Sequence, residues 1–136
     1  MEITMIGLGK MGMGIAENLL THHYQVKGYD INLDSGKHLI ELGGTFYSDI
    51  ESLLSDRSKR QIVWLMLPAG ALTNDTLTAA ADRMGKDDII IDAGNSHYQD
   101  SLTNAAYCQT KGIHFMDVGT SGGVFGARNG ACMMVG

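Results

Sequence analysis

Short apolar segments alternate with helical patterns along the whole chain, and this alternation limits the possible folds more than any other feature of the sequence. The apolar segments are hydrophobic on both faces, which is typical of parallel strands that helices cover on two sides. Strands and helices alternating at this spacing predict right-handed βαβ units and therefore an α/β fold with a doubly wound, mostly parallel sheet. Because no internal repeat or Pro/Gly/Ser-rich linker interrupts it, residues 1–136 are predicted to form one domain.

The predicted elements follow from the length and period of each segment. Strands are predicted at residues 3–6, 26–29, 62–67, 89–91, 113–118 and 132–135, and helices at residues 11–23, 33–42, 49–56, 70–84 and 97–111.

Helix ends carry recognisable residues. Ser48 and Ser96 each begin a sequence of the capping-box type, so both are expected to cap the helices that follow them. Gly43, Gly85 and Gly112 are expected at helix C-termini, where glycine tolerates the left-handed backbone conformation.

Composition argues against several classes of partner. The chain has 10 basic and 15 acidic residues and no basic run, so neither nucleic acid nor an anionic membrane is an expected partner. Its apolar segments are too short to span a bilayer, and its N-terminus does not resemble a signal peptide, so a cytoplasmic location is expected. The two cysteines and five histidines have no metal-ligand spacing, so no metal site is expected.

The first predicted strand runs into a glycine-rich turn of the GxGxxG type that opens a predicted helix. In this context Gly7 permits the tight turn, Gly9 lets a pyrophosphate approach the backbone, and Gly12 lets helix and strand pack closely. The pyrophosphate then meets the free N–H groups at the positive end of the helix. The sequence therefore predicts a dinucleotide site at residues Gly7, Leu8, Gly9, Lys10, Met11 and Gly12.

Asp30 ends the second predicted strand and is expected to determine the choice of cofactor. A carboxylate there can accept hydrogen bonds from the adenosine ribose hydroxyls and repels a 2′-phosphate. Ile31 and Asn32 follow it, with no arginine or lysine to neutralise such a phosphate, so NAD is preferred to NADP as the cofactor. The alternative is that Asp30 only caps the next helix.

The segment Leu67, Pro68 and Ala69 ends the strand predicted at residues 62–67. Ligands of doubly wound folds gather at the C-terminal ends of strands, so this segment is expected to border the cofactor. A purely structural turn is the alternative.

Two further strand ends are polar. Residues 92–96 form the turn Asp-Ala-Gly-Asn-Ser, and residues 117–130 contain five glycines. So many glycines suit a backbone that approaches a ligand closely and offers it N–H groups. A flexible glycine-rich loop is the alternative.

Together, the motifs GLGKMG, IDAGNS and VGTSGGVFGARNG resemble the cofactor domain of 6-phosphogluconate dehydrogenase over essentially the whole chain. Asp30 resembles the NAD-preferring branch, because NADP-dependent members have an Asn-Arg-Thr type of sequence there. The wider β-hydroxyacid dehydrogenase superfamily shares the first turn and the Ser-Gly-Gly motif, but its non-sugar members usually lack Gly-Asn-Ser.

The resemblance implies oxidation of the C3 hydroxyl of 6-phosphogluconate by NAD, followed by loss of CO2 to give ribulose 5-phosphate, as in the pentose phosphate pathway. It implies that Asn95 contacts both the nicotinamide side of the cofactor and the substrate. It also implies that Ser121, Gly122 and Gly123 hold the substrate. Two alternatives remain: the cofactor domain of another β-hydroxyacid dehydrogenase, similar to 3-hydroxyisobutyrate dehydrogenase, and a stand-alone NAD-binding module.

The family's catalytic groups are expected outside this sequence. The resemblance implies that the general-base lysine and the general-acid glutamate lie beyond Gly136, so no catalytic residue is expected within the chain and its Rossmann-type domain is expected to be truncated near the C-terminal end. An all-helical C-terminal domain, likewise absent, would complete the substrate pocket and form the subunit interface of a homo-oligomeric full-length enzyme.

We therefore predict no steady dehydrogenase turnover by the 136-residue polypeptide alone. General acid–base catalysis typically contributes ~10²–10⁴-fold, and both groups that would provide it are expected elsewhere. The measurement is NADH absorbance with saturating 6-phosphogluconate, with a full-length relative as the positive control. Steady turnover by the pure polypeptide would contradict this assignment of the catalytic groups.

Overall fold

The computed structural model describes residues 1–136 as seven strands and six helices. In chain order they are β1 (Glu2–Ile6), α1 (Lys10–Thr21), β2 (Gln25–Tyr29), α2 (Leu33–Glu41), β3 (Thr45–Tyr47), α3 (Ile50–Leu53), β4 (Ile62–Leu65), α4 (Ala71–Ala81), β5 (Ile89–Asp92), α5 (Tyr98–Thr110), β6 (His114–Ser121), α6 (Gly123–Asn129) and β7 (Cys132–Val135).

The strands form one sheet in the order β3-β2-β1-β4-β5-β6-β7. All neighbouring strands are parallel except the pair β6 and β7, which is antiparallel. The chain begins in the centre, winds outward through β2 and β3, and then returns to build the other half from β4 onward. This is the predicted doubly wound α/β architecture, and the prediction is confirmed.

Helices cover both faces of the sheet because successive strand residues point to opposite sides. Met5 packs on one face with residues from α1, α2 and α6, such as Ile15 and Leu39. Its neighbour Ile6 packs on the other face with residues from α3, α4 and α5, including Leu77. The buried apolar strands thus explain why the sequence lacks a simple alternation of polar and apolar residues.

The strand β3 and the helix α6 were not predicted from the sequence. Strand β3 has only three residues, too few for a periodic pattern to be visible. Helix α6 lies in the glycine-rich segment, where Gly123 and Gly126 lower the intrinsic helix propensity. It is held by packing on α1, since Ala127 is buried and lies so close to Gly14 that a Cβ at Gly14 would be 2.9 Å from that of Ala127.

The predicted serine caps are wrong. Asp49 caps α3 by accepting a hydrogen bond from the Ser52 N–H (2.7 Å), and Ser48 donates to the Asp49 carboxylate instead. His97 caps α5 through its Nδ1 atom. The Ser96 hydroxyl is directed instead to the buried Asp92 carboxylate, to which it donates (2.6 Å), and it accepts no N–H of α5.

Two of the three predicted C-terminal glycines are confirmed. Gly43 and Gly112 directly follow the C-cap residues of α2 and α5 and have φ values of 95° and 69°. Gly85 does not end a helix, because α4 ends at Ala81. Its N–H donates to the carboxylate of the buried Asp88 (2.7 Å), and a side chain at Gly85 would collide with Arg57, which also binds Asp88.

None of the helices combines the length and the apolar composition that crossing a membrane requires. No cluster of three or more histidine, cysteine, aspartate or glutamate side chains is arranged to hold a metal ion.

The two cysteines have different environments, which predicts different reactivity. Burial raises the pKa of the Cys108 thiol to about 11, whereas Cys132 is exposed on β7. A thiol reagent applied near the ordinary cysteine pKa of about 8.5 should therefore modify one thiol in the native protein and both after unfolding. The matched variant Cys132→Ser should lose the native reaction entirely. Rapid labelling of folded Cys132→Ser would contradict the burial of Cys108.

Candidate functional site

The turn between β1 and α1 depends on two glycines that allow no side chain. Gly7 has a φ of 95°, and a Cβ there would collide with the Met66 carbonyl at the end of β4. A Cβ at Gly12 would collide with the Gly7 carbonyl. Helix α1 consequently begins directly against the ends of β1 and β4, as the GxGxxG motif predicts.

The first turn of α1 can receive an anion. Its N-cap is Gly9, which offers no side-chain cap, and its first turn has no acidic residue. A Cβ at Gly9 would meet no atom within 4 Å, so the space above the turn is open. The exposed Lys10 adds a positive charge at the positive end of the helix and forms no ion pair. Free N–H groups, an open approach and an unpaired cation together fit a pyrophosphate.

Asp30 lies directly after β2 and stabilises the turn between β1 and α1 through hydrogen bonds. One carboxylate oxygen accepts the Leu8 N–H (2.6 Å), and the other accepts the Asn32 N–H (2.8 Å). Helix α2 is capped by Asn32, which accepts the Asp34 N–H, so Asp30 does not cap that helix. No cation pairs with Asp30, and each oxygen keeps capacity for a further hydrogen bond.

A cavity of about 140 Å³ adjoins Asp30 on the α4 side of the sheet. The exposed Ile31 and Leu72 line it, together with Thr76. An apolar cleft next to a carboxylate suits a flat base attached to a ribose. Leu72 and Thr76 were not predicted as site residues, because on α4 they belong to an ordinary helical pattern.

The turn after β5 is built on Asp92, whose side chain is fully buried. Its two carboxylate oxygens accept hydrogen bonds from the Gly94 N–H (3.1 Å) and the Ser96 hydroxyl. Gly94 must be glycine because a Cβ there would collide with the Leu67 carbonyl. The turn is therefore a rigid, internally bonded structure that packs against the segment following β4.

Asn95 connects this turn to β6. Its Oδ1 atom accepts the Thr120 N–H (2.9 Å), and its Nδ2 atom donates to the Thr120 carbonyl (3.2 Å). The amide thus acts as an additional strand residue and extends the pairing of β5 with β6 beyond Asp92. We call this pair of hydrogen bonds the Asn95–Thr120 clamp. Asn95 has a φ of 57°, a conformation that asparagine adopts more readily than most residues.

Three of the predicted segments meet at one cavity of about 320 Å³. The glycine turn contributes Gly9, Lys10, Met11 and Gly12, the segment after β4 contributes Leu67 and Pro68, and the turn after β5 contributes Gly94 and Asn95. Met66, Ala93 and Thr120 complete its lining; none of them was predicted as a site residue, although Ala93 and Thr120 lie in the polar segments 92–96 and 117–130.

Several predicted residues lie outside that cavity. The side chain of Leu8 is buried beneath the turn and supports it from within the fold, whereas the buried Gly7 lines the smaller cavity. Asp30 and Ile31 line the smaller cavity. Ala69 is exposed and lines neither cavity.

Ser121, Gly122 and Gly123 are exposed directly after Thr120, where β6 ends at Ser121 and α6 begins at Gly123. Gly122 and Gly123 have φ values of 124° and 61°, so this bend needs residues without a side chain. The bend is attached to α1 through α6, since the Arg128 guanidinium pairs with Glu17 (2.6 Å) and the Arg128 carbonyl accepts from Asn18 (2.8 Å). Helix α1 therefore supports both the glycine turn and the Ser-Gly-Gly bend.

Lys10 contributes the only titratable side chain that lines the 320 Å³ cavity. The cavity can bind and orient a ligand through N–H groups and the Asn95 amide, but it contains no acid–base pair. The largest cavity, of about 660 Å³, lies near Lys86 and His114 at the opposite ends of β5 and β6, away from these motifs.

Comparison with known proteins agrees with this geometry. The family model for the NAD binding domain of 6-phosphogluconate dehydrogenase matches residues 2–136. The Bacillus subtilis protein YqeC, named provisionally as a 6-phosphogluconate dehydrogenase, is 40% identical over 136 residues, which are 100% of this chain and 46% of that protein. The NAD(+)-dependent enzyme of Haloferax volcanii is 31% identical over 100% of this chain and 44% of its own length. An NADP(+)-dependent enzyme of Bacillus subtilis is 33% identical over 99% of this chain and 30% of its own length.

Solved structures share this fold. Plasmodium falciparum 6-phosphogluconate dehydrogenase superposes with a TM-score of 0.90 at 26% identity, over 99% of this chain and 30% of that one. Mycobacterium tuberculosis 3-hydroxyisobutyrate dehydrogenase superposes with a TM-score of 0.91 at 24% identity, over 99% of this chain and 46% of that one. The chain spans less than half the length of each of these relatives.

The Asn95–Thr120 clamp predicts a stability effect. Asn95→Gly keeps the left-handed conformation but removes the amide, so it should destabilise the fold by about 1–3 kcal/mol through the unpaired Thr120 backbone groups. Asn95→Ala should destabilise it further, because alanine at positive φ costs about 1–2 kcal/mol. Thermal unfolding of the two variants measures both the loss of the amide hydrogen bonds and the cost of alanine at positive φ. If Asn95→Gly melts at the wild-type temperature, the clamp does not stabilise the fold.

Proposed function

This chain belongs to the family of the NAD-binding domain of 6-phosphogluconate dehydrogenase, and on that premise we propose that it binds NAD for the oxidative decarboxylation of 6-phosphogluconate to ribulose 5-phosphate and CO2. In that reaction NAD supplies the hydride acceptor. The pentose phosphate pathway and gluconate metabolism, in the cytoplasm, are the setting that this proposal implies.

One observation carries the proposal: the glycine turn and the Gly94–Asn95 turn line the same cavity. The first has the free N–H groups and open approach that a pyrophosphate needs. The second belongs to the Gly-Asn-Ser motif, which resembles that of the sugar-acid enzymes and which the non-sugar members of the superfamily usually lack. A cofactor bound along the first turn would therefore extend toward the second, where the substrate is proposed to bind.

Asp30 supports NAD over NADP as the cofactor. Its charge is unpaired, and both of its oxygens are oriented by main-chain N–H groups. Ribose hydroxyls can donate to the remaining lone pairs, whereas a 2′-phosphate would bring a second negative charge to the same position. Relatives include both NAD- and NADP-dependent enzymes, so the preference rests on this residue.

The substrate is proposed to contact Asn95 and the bend formed by Ser121, Gly122 and Gly123. That bend is exposed and lacks side chains at two positions, so a carboxylate or hydroxyl can approach its backbone closely. Each polar atom of the Asn95 amide keeps hydrogen-bonding capacity beyond the clamp. Asn95 can therefore bind a ligand while its orientation is held by Thr120.

Acid–base catalysis is proposed to come from a lysine and a glutamate outside residues 1–136. Lys10 is the one titratable group of the cavity, and it is placed for an anion rather than as one of a proton-transfer pair. The same resemblance assigns the remaining substrate pocket and the contacts of a homo-oligomer to a helical domain outside these residues.

The substrate is tested with the complete protein that contains residues 1–136. Its kcat/KM for 6-phosphogluconate should exceed that for 3-hydroxyisobutyrate with NAD as the cofactor. A preference for the non-sugar acid would replace the proposal with the other branch of the superfamily. Failure of both acids, with NAD binding intact, would favour a binding module.

The cofactor preference predicts that NAD binds at least about tenfold tighter than NADP, a difference of ~1.4 kcal/mol. Asp30→Ala should narrow the difference mainly by weakening NAD, because it removes the ribose acceptor and the brace on Leu8. Asp30→Asn is the matched control: it keeps an acceptor but removes the charge, so it should improve NADP binding. Calorimetry that finds equal or tighter NADP binding by the wild type would contradict the assignment.

A further inference from the structure

The Thr120 hydroxyl is a buried polar group without a partner. Thr120 is 7% exposed, and its Oγ1 atom is closed off from solvent and forms no hydrogen bond. A buried hydroxyl that lacks a partner costs about 1–3 kcal/mol, so a valine would be the more stabilising residue for the unliganded fold. The hydroxyl therefore needs an explanation beyond stability.

The position of Thr120 explains why a hydroxyl is present there. It lines the 320 Å³ cavity beside Asn95, opposite the glycine turn. Two other buried polar atoms lack a hydrogen bond, Trp64 Nε1 and Glu17 Oε2, and neither residue lines that cavity. The Glu17 oxygen is moreover within 2.6 Å of the Arg128 guanidinium. Thr120 alone combines an unused hydroxyl with the cavity.

The main chain of Thr120 is held firmly, which makes its side chain a good ligand-binding group. Both backbone groups are bound by the Asn95 amide, so the Cα position is fixed at the edge of the cavity. Rotation about the Cα–Cβ bond to another staggered position would exchange the hydroxyl with the methyl group, and the proposal requires this movement. A ligand group in the cavity could therefore be met by side-chain rotation, without displacement of β6.

The order of the strands indicates which half of a bound dinucleotide would lie near Thr120. Asp30 ends β2 and Thr120 lies in β6, and the intervening strands are β1, β4 and β5. Four strand spacings correspond to about 19 Å. An adenosine bound at Asp30, with its pyrophosphate over Gly9, therefore directs the nicotinamide half toward Thr120.

We propose that the Thr120 hydroxyl forms a hydrogen bond with the nicotinamide half of the bound dinucleotide, and so acts as a cofactor-positioning residue. This inference rests on the proposed function, because it requires that NAD binds in the cavity. Both the carboxamide and the ribose of that half carry groups that pair with a hydroxyl, which can donate and accept at once.

The test compares Thr120→Val, which removes the hydroxyl at nearly constant shape, with Thr120→Ser, which keeps it. Calorimetry measures the binding of NAD and of ADP-ribose, which lacks the nicotinamide. Thr120→Val should bind NAD about three- to tenfold more weakly, as the loss of one hydrogen bond implies, and should bind ADP-ribose like the wild type. Thr120→Ser should bind both ligands close to wild-type affinity.

Stability separates this role from a structural one. The unliganded Thr120→Val protein should melt at or above the wild-type temperature, because it buries no unpaired hydroxyl. A clearly lower melting temperature, an equal loss for NAD and ADP-ribose, or no loss for NAD would each overturn the inference. Failure of the wild type to bind either ligand would instead overturn the proposed function.

Discussion

The close contact of α1 with the ends of β1 and β4 is the constraint on which the rest of the site depends. It exists because Gly7 and Gly12 have no side chains that would separate helix from sheet. The contact directs the uncapped first turn of α1 toward the carboxyl ends of the strands. Backbone N–H groups and the helix dipole are thereby available to an anion, beside the exposed Lys10.

Helix α1 also carries the second half of the site. Its face toward α6 includes Gly14, which allows the two helices to approach closely, and Glu17, which pairs with Arg128. Since α6 follows the Ser-Gly-Gly bend, the bend is positioned by the helix that opens the glycine turn. The two ligand-binding segments share one rigid support, so their separation is set by helix packing rather than by loop flexibility.

The polar turns are held mainly by bonds to main-chain groups. Asp30 binds two backbone N–H groups, Asp92 binds one and a serine hydroxyl, and Asn95 binds the backbone of Thr120. Such turns keep their shape before a ligand arrives, which lowers the ordering cost of binding. Asn95 illustrates why a motif residue can have two roles: its clamp organises the site, and its remaining capacity faces the cavity.

The sequence by itself determined the doubly wound sheet and the position of the glycine turn, because apolar period and glycine spacing are local properties of the chain. It also identified Asp30 and Asn95 as notable residues. Only the tertiary structure revealed α6, the cap at His97, the clamp on Thr120 and the unpaired Thr120 hydroxyl. Apart from the His97 cap, which is a local contact with Gln99, these features depend on residues far apart in the chain. Asn18 and Arg128, for example, are 110 positions apart and meet only when the sheet has assembled. Local patterns encode most of the strands and helices, whereas the packing of α6, the Asn95–Thr120 clamp and the unpaired Thr120 hydroxyl are decided by long-range packing.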